Sequence, residues 1–380
     1  MQKITIVSAA YPLRGGIAHF AGLLYKELTK HFNVDVITFK RQYPSFLFPG
    51  KTQLESGDSV EKIPTSVELD SVNPINWIKV GRKIRDAKPD LLILKYWMPF
   101  FAPAYGVIAR IVRKNGKTKI LAICHNVIPH EKKPGDLALT KFFFSKVDYF
   151  LLLSNSVKDG LLSIVPNANH KVLFHPVYSN FGDPVTKEEA KRHLKIEDEK
   201  VLLFFGFIRD YKGLDVLFKA VSILKSEMSF KLIVAGEFYS NEDKYLKLID
   251  ELDIKNSVVL HKDFIPQDEV KYYFSACDVV VLPYKSATQS GIVQIANNFN
   301  KPMISTNVGG LGEVIQDGKT GYLVEKENPE QLAKAILKYY NENKESEFSN
   351  NIKLERQKYS WEVFVKEMLN LTEKKTNSTT

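Results

Sequence analysis

Two cations stand three positions apart in Gly206-Phe207-Ile208-Arg209-Asp210-Tyr211-Lys212-Gly213, directly after the apolar run 201–205. On a loop that enters a helix, Arg209 and Lys212 can reach one anionic cluster. Fixed cations there would offset charge that develops on departing oxygens. An exposed cationic pair at a helix start opposes the helix dipole, so a purely structural role is weakly motivated. A second candidate anion cradle is Ser290-Gly291, where a Ser/Thr/Gln/Gly loop following Val279–Leu282 meets a helix-like segment. The backbone N–H groups of Ser290, Gly291 and Ile292, with the helix dipole, would face an anion. A third is Gly15-Gly16, between the first apolar run and the first helix-like stretch. Paired glycines allow a tight turn and close approach of a phosphate to the backbone, although such turns are common in Rossmann domains generally.

These loops need elements to hold them. Apolar runs alternate with amphipathic stretches along the whole chain, the pattern of βα units around parallel sheets. The first half predicts strands at 4–8, 34–38, 91–94, 120–123, 149–153 and 172–174, with helices at 16–30, 74–86, 104–114 and 156–164. After His175-Pro176 and a Gly- and Pro-containing linker the pattern restarts. Strands are predicted at 201–205, 231–235, 258–260, 279–282, 303–305 and 321–324, and helices at 214–225, 269–275, 292–299 and 329–340. A last amphipathic segment, 361–371, precedes a polar tail. In doubly wound sheets ligands lie outside the carboxyl ends of the strands, where all three glycine-bearing loops fall.

The block from Pro283 to Val324, with Gly309, Gly310, Gly312 and Glu313 after its second strand, resembles the donor-binding block of glycosyltransferase family 4. So does the G-x-x-x-x-x-K-G spacing from Gly206 to Gly213. The resemblance covers nearly the whole chain. It implies a GT-B fold: two Rossmann-like domains facing across a cleft, with the last helix crossing back to the first. The expected bounds are an acceptor-binding domain at 1–176, a nucleotide-sugar-binding domain at 177–355, and the returning helix and tail at 356–380.

The same resemblance implies roles. Arg209 and Lys212 would grip the nucleoside diphosphate, Gly15 and Gly16 its distal phosphate or the sugar, and His125 the sugar. Gly206 and Ile292 complete the donor loops. His130 and Glu131 lie where relatives shape the acceptor side. Family members carry two glutamates eight positions apart at the first loop, and here Ala287 and Ile295 occupy those positions. Gln289, Ser290 and Gln294 offer neutral hydrogen bonds in roughly that place. The ribose would then be read by these amides or by Glu313.

No DxD stands between strand signals, and the acidic run Glu197-Asp198-Glu199 reads as a solvated turn. The resemblance implies that no cofactor or metal is needed, the cationic pair taking the metal's place at the leaving group. Retention by a front-face route is what the resemblance implies.

Bulk composition narrows the partners. With 380 residues, 26% charged and 44% hydrophobic, the chain suits two ordinary globular domains. Cys124 and Cys277 show no metal spacing and read as buried thiols in a reducing compartment. The net charge of +9 is uneven: residues 1–175 carry +12 and the rest −3. An anionic partner for the first half is one reading, and a solvated basic face the other. Residues 141–146 mix aromatics and cations, 96–101 is an aromatic run leading into Arg110, Arg113, Lys114, Lys117 and Lys119, and 46–49 is an apolar loop. A triple phenylalanine is more often core than anchor, but together the segments resemble proteins lying on anionic membranes. No recognised nucleic-acid-binding module is present.

The resulting expectation is a cytoplasmic retaining hexosyltransferase, peripheral on the inner face of the plasma membrane. It would move sugar from a nucleoside diphosphate to a glycan or lipid-pyrophosphate-linked acceptor in polysaccharide or lipopolysaccharide synthesis. The alternatives are a nucleotide-sugar epimerase on the same fold and a non-catalytic nucleotide-sugar-binding protein.

Overall fold

A computed structural model describes residues 1–44, 52–55, 62–129, 133–197, 200–239 and 241–373. His130, Glu131 and the apolar loop 46–49 lie outside the described residues. Contacts divide the chain into two compact units. One holds the described residues before Val177 together with those from Tyr359 onward, and the other runs Val177–Lys358.

In chain order the first unit contains β1 (Lys3–Val7), α1 (Gly16–Thr29), β2 (Asn33–Arg41), β3 (Ser66–Asp70), α2 (Pro74–Ala87), β4 (Leu91–Tyr96) and α3 (Ala102–Val112). It continues through β5 (Lys119–Cys124), α4 (Asp136–Phe144), β6 (Tyr149–Leu152), α5 (Asn155–Ile164) and β7 (His170–Val172). The strands form one parallel sheet in the order β3-β2-β1-β4-β5-β6-β7. Every residue of β4 is buried, so LLILKY reads as an unbroken apolar run around a single lysine. Strands covered by helices on both faces need no alternation.

The second unit contains α6 (Lys187–Leu194), β8 (Lys200–Phe205), α7 (Leu214–Leu224), β9 (Phe230–Ala235), α8 (Glu242–Glu251), β10 (Val258–His261), α9 (Val270–Ala276) and β11 (Val279–Leu282). It then adds α10 (Gly291–Asn298), β12 (Met303–Thr306), α11 (Leu311–Val314), β13 (Gly321–Val324), α12 (Pro329–Asn341) and α13 (Glu345–Glu355). Its sheet order is β10-β9-β8-β11-β12-β13, again parallel. The order reverses between β8 and β11, the two strands whose carboxyl ends carry the Arg209–Lys212 and Ser290–Gly291 loops.

The last described helix, α14 (Trp361–Glu373), belongs to the first unit and packs on α1. Trp361 and Phe364 place their rings 4.9 and 5.7 Å from Phe20. Lys119 Nζ donates to the Thr372 carbonyl at 2.5 Å, and Lys171 pairs with Glu367. An amphipathic helix gains most of its stability from such a docked apolar face.

Several expectations need correction. The edge strand β3 and the helices α4, α6, α8 and α13 were not anticipated from the pattern, and β7 begins two residues before the expected 172–174. The triple phenylalanine has the core role that such a run more often has. Phe143 and Phe144 are buried in the core with Tyr96, Tyr105 and Phe150, and only Phe142 is partly open. Phe101 is likewise fully buried. Both cysteines are buried free thiols.

Candidate donor site

The loop after β8 is built for close approach. Gly206 has φ +93°, a conformation that side chains resist. A Cβ there would stand 3.1 Å from both Lys212 Nζ and Ile292 Cδ1. This brings Gly206, Lys212 and the first turn of α10 into one cluster. Gly213, with φ +70°, leaves room for the Pro283 carbonyl, which a Cβ would approach to 1.9 Å. Lys285 completes the tie between the two loops. Its N–H donates to the Tyr211 carbonyl at 2.7 Å, and its Nζ meets Asp215 at 2.8 Å.

The cationic pair is not the exposed pair expected. Arg209 is exposed and lies over the Tyr239 ring at 5.0 Å. Lys212 is 8% exposed, with Nζ 5.6 Å from the centre of the Tyr284 ring. Among the described residues no carboxylate pairs with it. Burial, and secondarily the Arg209 charge, pull its pKa down to about 7. Desolvation disfavours the ammonium, and a like charge adds to that. An incoming anion would supply the missing counter-charge.

Helix α10 presents the second cradle. Ser290 is its N-cap, and the Ser290 hydroxyl accepts from the Ile292 N–H at 3.3 Å. Tyr284 Oη lies 3.3 Å from the same hydroxyl. Gly291 matters for a different reason: a Cβ there would press to 3.2 Å from the Tyr178 ring, which is buried. Behind the loop, Gly310 N–H donates to the Thr288 carbonyl at 3.2 Å. Gly309, at φ +49°, has no space for a Cβ against the Ala287 carbonyl.

The remaining expected residues are distributed less evenly. Gln289 is half-buried in the β11–α10 loop, and Glu313 is partly exposed on the short α11. Gln294, expected to read the ribose, is 1% exposed and accepts from Asn297 Nδ2 at 3.3 Å. It is enclosed because it lies on the side of α10 that faces the unit's interior. Ile295 is also buried, whereas Ala287 is not. An open groove of about 930 Å³ runs beside Lys285, Ala287, Asn307, Gly309, Glu325 and Gln331; neither Arg209 nor Lys212 lines it.

In the first unit, Gly15 (φ +100°) precedes α1, which begins at the exposed Gly16 without a side-chain cap. His125 is 6% exposed, its N–H bound to the Tyr96 carbonyl at 2.8 Å and its ring 5.1 Å from Phe20. Burial first, then Lys95 and His175, hold its pKa well below the usual imidazole value. The ring is therefore neutral. Lys95, unnoticed in the sequence, is fully buried; Nζ sits 3.5 Å over Phe20 and donates to the Ile17 carbonyl at 3.2 Å.

Tyr178, Tyr239 and Tyr284 were also missed. Only the Tyr284 position after a buried strand carried a signal. Among the described residues no group of three or more His, Cys, Asp or Glu is placed to hold a metal ion. No helix of the described residues is long and apolar enough to cross a membrane.

The second unit is a doubly wound parallel sheet with Arg209, Lys212 and the N-terminus of α10 at its switch point, the place where such sheets bind ligands. Residues 185–355 match the family model described as glycosyl transferases group 1. An uncharacterized glycosyltransferase of Methanocaldococcus jannaschii is 25% identical over 389 aligned positions, covering 96% of each chain. Among solved structures, sucrose-phosphate synthase from Thermosynechococcus elongatus superposes with TM-score 0.75 at 18% identity, covering 98% of both chains. Anabaena HepE in complex with UDP gives TM-score 0.75 at 15% identity, covering 97% of this chain and all of the other. The protein is a glycosyltransferase with the GT-B fold, and its residues 185–355 match the model of glycosyl transferases group 1.

Proposed function

We propose that this glycosyltransferase is a retaining family 4 enzyme. Its donor is a nucleoside diphosphate sugar, and its acceptor a glycan or a lipid-pyrophosphate-linked precursor of a surface polysaccharide or lipopolysaccharide. It works at the cytoplasmic side of the membrane and associates with it peripherally. The observation that carries the donor reading is Lys212: a buried cation with no carboxylate partner among the described residues, beside the first turn of α10. A diphosphate would supply the partner, held further by Arg209 and by N–H groups at Ser290, Gly291 and Ile292. Anabaena HepE, which shares the fold, is also known in complex with UDP-glucose, which supports a uridine diphosphate donor as the first candidate.

In this reading the bond between the anomeric carbon and the distal phosphate oxygen breaks, and the acceptor oxygen bonds that carbon on the same face. The acceptor proton passes to a phosphate oxygen, and the nucleoside diphosphate leaves. Arg209 and Lys212 stabilise the charge that accumulates on the leaving group. The neutral His125 orients the sugar, Gly15 and Gly16 approach it through backbone, and Gln289 and Glu313 read donor hydroxyls. The acceptor binds on the first unit and the donor on the second, whose end falls at Lys358, three residues beyond the expected 355. Because the cations serve the leaving group, transfer should proceed in EDTA.

A thermal-shift panel of UDP, GDP, ADP and their sugars tests the donor site. A ligand at a hundredfold its Kd adds about 2.7 kcal/mol, a shift of several degrees. If no member of the panel stabilises the chain, the donor-site reading is wrong.

A further inference from the structure

Helix α2 packs tightly on α3. A Cβ on Gly81 would stand 3.1 Å from Ile111 Cδ1 and 3.3 Å from the Ile108 backbone, and Val80 and Ile84 are buried beside it. The opposite face is therefore outward. It carries Ile75, Ile78, Lys79, Arg82 and Lys83, spaced i, i+3, i+4, i+7 and i+8, which aligns them as one stripe. Ile75 is 79% exposed and Ile78 38%. Lys83 pairs with Glu68, but Lys79 and Arg82 have no ion-pair partner among the described residues.

The stripe is ordered along the axis. The isoleucines occupy the first turn, immediately after the carboxyl end of β3, and the cations follow one and two turns later. Asn73 caps the helix by accepting from the N–H groups of Ile75 and Asn76, and Pro74 starts it, so the apolar turn is rigidly presented. At the carboxyl end of β5 lie further exposed aliphatics: Ile128, and Leu137 and Leu139 on α4, at 37%, 54% and 38%. Helix α3, in contact with both α2 and α4, carries the exposed Arg110 and leads into Arg113 and Lys114. The apolar residues thus lie toward the carboxyl edge of this sheet, with exposed positive charge behind them, of which Arg113 is paired with Asp148 and Arg82 has Asp86 one turn on.

We infer that the outward face of α2 docks this unit on an anionic lipid surface, Ile75 and Ile78 entering the interfacial layer and Lys79 and Arg82 meeting lipid phosphates. The inference rests on the proposed lipid-linked acceptor for its purpose, and on the α2 surface for its evidence. Cations alone would suit any polyanion. The exposed isoleucines decide between them, because a nucleic acid backbone offers no apolar layer to receive an aliphatic turn, whereas the acyl boundary does. The aromatic runs at 96–101 and 141–146 are largely committed to the core, so the surface falls on residues they do not include.

The test is co-sedimentation of the full chain with vesicles of phosphatidylglycerol and phosphatidylcholine, or phosphatidylcholine alone, beside a single-stranded oligonucleotide of matched charge. Each variant is also melted with and without UDP. Wild type should pellet with the anionic vesicles only. The pair Lys79→Glu and Arg82→Glu should weaken partition by about 25-fold or more, from roughly fivefold per cation. The pair Ile75→Ser and Ile78→Ser should weaken it comparably, and both variants should keep the wild-type UDP shift. The inference is overturned if wild type stays in the supernatant, or if either variant pellets as wild type does. Oligonucleotide binding that needs the cations but not the isoleucines overturns it too. Failed vesicle binding with an intact UDP shift removes the docking surface alone, and a lost UDP shift with vesicle binding intact removes the donor site alone.

Discussion

Lys212 Nζ occupies the space beside Gly206 that any side chain would need, 3.1 Å from the position of a Cβ. The ammonium and the bare backbone are thus a fitted pair at the end of β8, and each constrains substitution of the other.

Gly206→Ala should therefore do two things. The positive φ costs about 1–2 kcal/mol of stability, and the methyl displaces Lys212 and Ile292. Scanning calorimetry should show the lower Tm, and the UDP shift should fall further than the loss of stability explains. An unchanged UDP shift would dissociate Gly206 from the anion site.

Lys212→Met should separate stability from activity. Removing a buried, uncompensated cation relieves desolvation, so the free protein should gain about 1–3 kcal/mol. Transfer should drop by roughly two to three orders of magnitude, the scale for losing one charge-stabilising group. Urea denaturation and initial rates measure the two effects. A variant that is less stable and fully active contradicts the assigned role.

The pH dependence follows from the same group. Its pKa is pulled from 10.5 to about 7 in the folded chain. Between those values the unfolded chain holds a proton that the folded chain lacks, so this lysine makes stability rise with pH across that window. Its penalty is fully present below pH 7 and gone above about 10.5. The melting curves of wild type and Lys212→Met should converge as pH rises. Donor binding has the opposite sense: above pH 7 the diphosphate must draw a proton onto Lys212, so affinity declines by up to about tenfold per pH unit. Calorimetry in buffers of different ionisation enthalpy should register that uptake.

Restoring the family's glutamate pair should not be symmetric. Ala287 is half-exposed and should accept glutamate within about 0.5 kcal/mol. Ile295 is 5% exposed on the inner side of α10, and a carboxylate there should cost about 3 kcal/mol or more. Thermal melts of the two single variants decide it. Equal tolerance would mean that Ile295 faces open space.

The legible parts of this chain were those governed by local pattern. Continuous apolar strands such as β4 and β11 and the glycine-marked loops after β8 and β11 could be placed from residue order, because period and turn chemistry act over a few positions. What escaped depends on distant neighbours. Lys212 looked exposed because nothing near it in sequence shows that Tyr284 and Ile292 will enclose it. Gln294 looked like a ligand because its side of α10 is settled only when the helix docks. The phenylalanines 143 and 144 are core, the commoner use of such a run, but α4, unmarked by any strong amphipathic period, did not show in the pattern which of the three would face inward. β3 escaped for the opposite reason: at the sheet edge only Leu69 is fully buried, so little apolar pattern is required of it.

Phe20 receives the rings of Trp361 and Phe364 on one flank and those of His125 and His175 on another. The partners from α14 are separated from it by more than 300 positions, with the whole of Val177–Lys358 made in between. During synthesis the second unit is contiguous and can close as it leaves the ribosome. The first must wait with Phe20 uncovered until the last helix arrives. A nascent chain halted before Trp361 would therefore display a finished second unit beside an incomplete first one, the interval in which a chaperone would find its binding site.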